Sequence, residues 1–211
     1  MNAFLLCLIF GWSGDLDLNE ENKYQVNYHL DNPADVWIQD KDGYLVAKLI
    51  RYEIYNNNQR LKLYSKLGFT LENIPLNNSR FYNECIEVFL EIEREMPKAY
   101  QCLKSRGQNA KEINTLRFSF PLEPRLTPSG LTQFWHPNAY TCTKDGVYKR
   151  GGMWLIGVYD PDSSLIFVTF HPRYYHILPV HEYIHACGYG HVCGENPEQE
   201  KKNFMCAERP N

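Results

Sequence analysis

The chain has 211 residues, a formal net charge of −3, 44% hydrophobic residues and 22% charged residues. That length holds one good core, or a domain with a small appendage, and the composition is that of an ordinary globular protein. A small negative charge with no long basic run excludes nucleic acid as the expected partner, and no stretch is long and apolar enough for stable membrane insertion.

Residues 1–13 read as a secretory signal peptide. Their apolar run is too short to span a bilayer, and cleavage after Ser13 would put Gly11 and Ser13 at the small-residue positions. The alternative is a buried first strand. A signal makes the protein secreted or extracytoplasmic. Without Cys7, six of the seven cysteines remain: Cys85, Cys102, Cys142, Cys187, Cys193 and Cys206. An even number suits disulfides in an oxidising compartment and leaves their pairing open. Cys85 and Cys102 should not pair, because a continuous helix would hold them roughly 25 Å apart.

Residues 14–22 are acidic and polar, a loose tail. From 24 to 71 the pattern is β-like. Residues 35–39 and 44–50 alternate as strands around the turn Asp40-Lys41-Asp42-Gly43, and Asn56-Asn57-Asn58 precedes another strand at 61–64. Residues 14–78 thus form a β-rich N-terminal segment, either a module or a pro-segment. Asn77-Asn78-Ser79 is a glycosylation sequon, and Ser79 can cap the helix that follows. That helix, 80–104, carries an apolar stripe from Phe81 through Cys85, Val88, Phe89, Ile92, Met96 and Ala99 to Leu103. Pro97 should bend or break it, and Gly107 should end it. Residues 113–120 alternate as a strand. Residues 121–150, rich in Pro, Gly and Thr, read as a long loop that Cys142 can pin. Residues 153–159 and 165–170 are apolar strands joined by Asp160-Pro161-Asp162-Ser163-Ser164. The next helix should start near Pro179.

That helix bears the most informative window, His181-Glu182-Tyr183-Ile184-His185-Ala186-Cys187-Gly188-Tyr189-Gly190-His191, the pattern H-E-x-x-H-x-x-G-x-x-H. Residues four apart share a helix face, so His181 and His185 can aim two imidazoles at one point. Glu182 lies about 100° further round, within reach of a water on the same metal. Gly188 can take φ > 0, stop the helix and let the chain deliver His191 as a third ligand. Three nitrogen ligands and one open position define a catalytic zinc site. Cys187 lies about 200° round from His185 and points away from that zinc. The bland alternative is a buried helix with satisfied histidines.

The full pattern resembles the metzincin clan of zinc metallopeptidases, a likeness confined to 181–191 with weaker support to about 206. The resemblance implies an α+β zinc peptidase domain over 79–211, with a mixed twisted sheet, a long backing helix, an active-site helix and a short C-terminal subdomain. It implies one catalytic Zn2+ and hydrolysis of a protein or peptide substrate, with Glu182 as general base. It assigns the edge of the cleft to Met153, Trp154, Leu155, Ile156 and Gly157, where an extended peptide would add as a strand. It makes Met205 the candidate for the methionine turn beneath the metal. Ala207 stands where some members carry a tyrosine, and Val192 matches no family within the clan. Cys193 and Cys206 bracket the short C-terminal segment and are candidates for a disulfide. Two other readings stay open. One is an H-E-x-x-H peptidase of another clan, with Glu195, Glu198 or Glu208 as third ligand. The other is a secreted, non-catalytic or toxin-like module that keeps zinc for stability. Cleavage specificity and oligomeric state have no signal in the sequence.

Overall fold

Five strands precede the first long helix: β1 (Tyr24–His29), β2 (Asn32–Asp40), β3 (Leu45–Tyr55), β4 (Arg60–Ser65) and β5 (Thr70–Pro75). The computed structural model describes residues 21–137, 140–143, 146–149, 152–174 and 177–189. Each of the first four strands pairs antiparallel with the next. Their alternation sets the pairing: Val36, Ile38, Ala47, Leu49, Leu61 and Leu63 are buried on one face. The hairpin turn at Asp40 forms as its sequence predicts, since Asp40 Oδ1 accepts from the Asp42 and Tyr44 backbone N–H groups at 3.0 and 2.9 Å. Asn56, Asn57 and Asn58 carry the β3–β4 turn with φ of 52°, 52° and 64°, a region asparagine tolerates better than most residues.

Helix α1 spans Ser79–Ser105. Its cap is Asn78, not Ser79: Asn78 is extended, and its Oδ1 accepts from the Phe81 N–H at 3.0 Å. Asn78→Ala should therefore cost about 1 kcal/mol in a denaturant titration. Pro97 does not break the helix. Met96 and Ala99 on either side are buried in the core, and their packing outweighs the roughly 3 kcal/mol that an interior proline costs.

The expected strand at 113–120 is shorter than its alternation suggests. Local hydrogen bonds fold Ile113–Thr115 into a 3-10 turn, and only Arg117–Ser119 forms a strand, β6. The expected long loop is also corrected. It contains β7 (Arg125–Leu126), β8 (Thr132–His136), β9 (Tyr140–Thr143) and β10 (Gly146–Lys149). Thr132 and Phe134 alternate inward along β8, while Thr127, Pro128 and Gly130 lie in the connection before it. Then come β11 (Met153–Leu155), β12 (Gly157–Asp160), β13 (Leu165–Val168) and α2 (Leu178–Ala186).

The class is α+β, with an eight-stranded mixed sheet in the order β1-β2-β3-β4-β5-β6-β13-β12. Strand β6 pairs in parallel with both β5 and β13, and β12 closes the sheet antiparallel to β13. The strands before residue 79 thus share one sheet with those after it. A second, three-stranded sheet runs β11-β8-β7, and β9 pairs with β10. Helix α1 packs on β5 and α2, and α2 packs on β12 and β13. Between them lies one hydrophobic core, in which Phe69 meets Phe89 of α1 at 5.2 Å and Phe118 of β6 at 5.7 Å between ring centroids. Cys85 and Cys187 are free thiols buried in that core, so neither bridges to the other helix. Among the described residues, no helix is long and apolar enough to cross a membrane.

Candidate metal centre

Helix α2 opens as its sequence predicts, with Pro179 in the first turn. Val180, Tyr183, Ile184, Ala186 and Cys187 face the core, and His181 and His185 lie half-buried on a different stripe. The helix closes in a Schellman arrangement. Gly188 N–H donates to the His185 carbonyl at 2.9 Å, and Tyr189 N–H reaches back to the Ile184 carbonyl at 3.2 Å. Gly188 stands at φ +96°, a conformation that side-chain-bearing residues rarely adopt.

The two imidazoles converge. Their Nε2 atoms are 3.1 Å apart, with the rings nearly perpendicular. Two nitrogens bound to one tetrahedral zinc would be roughly 3.3 Å apart. His185 Nδ1 lies 2.7 Å from the Tyr189 carbonyl oxygen, which can only accept. Nδ1 therefore carries the hydrogen, and Nε2 of the neutral ring keeps its lone pair for a metal. Both residues fit a zinc ion in donor type and direction, and His185 fits it in tautomer as well.

Glu182 is buried, 5% exposed, on the turn between them. Burial pushes its carboxyl pKa up to about 8, partly offset by a hydrogen bond from the Tyr159 backbone N–H. That N–H belongs to the edge of the sheet. Thr169 N–H donates inward to the Ile156 carbonyl at 2.9 Å, and the β12–β13 register continues from there. By antiparallel alternation, Gly157 and Tyr159 turn their backbone groups away from β13. A Cβ on Gly157 would stand 2.9 Å from Glu182 Oε1 and 2.7 Å from Leu178 Cδ1, so the carboxylate reaches the strand only because residue 157 has no side chain. Gly157→Ala should displace one of these groups and cost about 1–3 kcal/mol, measurable by urea unfolding.

The stretch expected to form one edge strand is divided. Met153, Trp154 and Leu155 pair with β8 in the smaller sheet, and Gly157 begins β12 at the end of the larger one. Ile156 sits between, its carbonyl also accepting from Thr169 Oγ1 at 2.8 Å, while that hydroxyl lies 3.1 Å from the Thr132 carbonyl. The hydroxyl thereby ties the two sheets together at the break.

His191, Met205, Cys193 and Cys206 lie outside the described residues, as do Val192, Glu195, Glu198, Ala207, Glu208 and the 1–13 segment, while Cys142 falls in β9. Among the described residues, no group of three or more metal-ligating side chains is assembled.

Several partners of the site carried no signal in the sequence. Asn109 and Lys111, in the loop after α1, hold the end of α2. Asn109 N–H donates to Tyr189 Oη at 2.7 Å, and Asn109 Nδ2 to the Cys187 carbonyl at 2.8 Å. Lys111 N–H approaches Cys187 Sγ at 3.3 Å, so that thiol faces the loop, and the Lys111 carbonyl accepts from Tyr183 Oη at 2.9 Å. In comparisons with known proteins, no family model, curated protein or solved structure matches the chain.

Proposed function

We propose that the chain is a secreted zinc-dependent metalloendopeptidase of metzincin type. One observation carries the reading: two Nε2 atoms converge 3.1 Å apart on one helix, with a buried carboxylate on the intervening turn. His181 and His185 would hold the ion from this helix, with His191 as the third ligand the motif implies. When bound, zinc supplies Lewis acidity towards water and a peptide carbonyl. The raised pKa is that of the metal-free site; beside a bound cation the Glu182 carboxyl would be ionised, and it would then take the proton from the attacking water and pass it to the leaving amine. Its carboxylate is held for this by the Tyr159 N–H and the space above Gly157. Gly157 leaves its own backbone groups turned outwards from β12, where an extended peptide can add as a strand. Glu182 already occupies the Tyr159 donor, so pairing would run through Gly157.

The test is cleavage of a peptide library by the purified protein, with and without chelator, followed by sequencing of the products. The expected result is cleavage that chelator abolishes and zinc restores. Bound zinc with no chelator-sensitive cleavage would instead indicate a non-catalytic or toxin-like zinc module. Zinc affinity indifferent to His191→Ala would move the third ligand to Glu195, Glu198 or Glu208.

A further inference from the structure

We infer that Asn109 is a positioning residue for the His185 imidazole, an inference that rests on the zinc-peptidase reading. The ring of His185 is aimed by its bond to the Tyr189 carbonyl. Tyr189 is the third residue past the end of α2, beyond the left-handed Gly188. A chain end of that kind frays unless something outside the helix holds it. Here the hold comes from residues 109–111, far away in sequence. The Asn109 backbone N–H fixes the Tyr189 phenol, and the Asn109 side-chain amide fixes the Cys187 carbonyl. These contacts bracket Gly188 on both sides. They set where the Tyr189 carbonyl stands, and through it the tautomer and direction of His185. Asn109 touches neither His181 nor His185 in this chain of bonds. Its side chain must be a donor at this position, because a carboxylate would face the Cys187 carbonyl oxygen with a like charge.

Outer partners of metal-ligating histidines typically change metal affinity by about 10–100-fold when removed. Asn109→Ala and Tyr189→Phe should each weaken zinc binding by that factor in a chelator-competition titration of the full chain. The melting temperature of the zinc-free protein should fall by only about 2–4 °C. Asn109→Asp should be weaker than Asn109→Ala. Asn78→Ala, at the far end of α1, is the control: a similar fall in melting temperature with zinc affinity unchanged. Nitrogen-15 shifts of the His185 ring give a second readout that needs no zinc. They should show the Nδ1–H tautomer in the unsubstituted protein and a mixture in Asn109→Ala.

If Asn109→Ala binds zinc as tightly as the Asn78→Ala control and its His185 shifts are unchanged, the positioning role is overturned and the peptidase reading stands. If the unsubstituted protein binds no zinc but the shifts still move, the peptidase reading is overturned and the positioning role stands. No zinc and no movement overturns both.

Discussion

Glu182→Gln is expected to slow peptide hydrolysis by roughly 10²–10⁴-fold while the protein keeps one bound zinc. The substitution conserves shape. The amide oxygen can still accept from the Tyr159 N–H, so the strand contact survives. What is lost is the ability to take a proton from water and return it to the amine. Folding should not suffer, because burial disfavours the charged carboxylate at this position and a neutral amide carries no such cost. Zinc binding should be unchanged, since Glu182 is not among the proposed ligands and the His185–Tyr189 bond does not involve it. Steady-state kinetics beside metal analysis of the same preparation decides the matter. Wild-type turnover in a zinc-loaded Glu182→Gln protein would remove Glu182 from the mechanism.

Phe69→Ala is expected to have the largest effect on stability, a loss of about 3–5 kcal/mol in urea unfolding. Phe69 is fully buried at the point where the β4–β5 turn meets both α1 and β6. Two aromatic partners on different elements leave little room for the site to collapse around the missing ring. The cost should therefore fall in the upper part of the range for such truncations. A domain of this size has about 5–15 kcal/mol in hand, so the variant should be close to unfolding at 37 °C. Leu122→Ala, at a residue 60% exposed, should stay within about 0.5 kcal/mol of the parent. A small loss for Phe69→Ala would contradict the packing of α1 on the sheet.

What the sequence makes legible here is local. The four-residue spacing of His181 and His185, the proline at the start of α2 and the glycine after its end all act within a turn or two of helix. The apolar stripe of α1 and the Asp40 hairpin are legible for the same reason. Ambiguity begins where neighbouring residues share a propensity. Asn78 and Ser79 are both good caps, and only the observed Asn78 bond to Phe81 N–H separates them. β8 is hidden because five residues of alternation sit among prolines and glycines. The break at Ile156 is invisible because Met153 through Tyr159 is uniformly apolar enough to read as one strand, while the Thr169 hydroxyl that organises the break comes from later in the chain. The Tyr159 contact to Glu182 and the grip of Asn109 on the end of α2 are products of the fold alone. The proposed third ligand is different in kind: the motif suggests it, and His191 lies outside the described residues.

The position of Glu182 also bears on how the protein behaves in concentrated solution. A strand at the end of a sheet displays unpaired backbone groups, and copies of the same chain can zip together along them into aggregates. β12 ends the larger sheet but is only four residues long, and one of its outward N–H groups is already taken by a carboxylate from α2. A second copy seeking to extend the sheet would have to displace that carboxylate. The side chain proposed as the general base therefore also guards this edge against lasting pairing with a second copy.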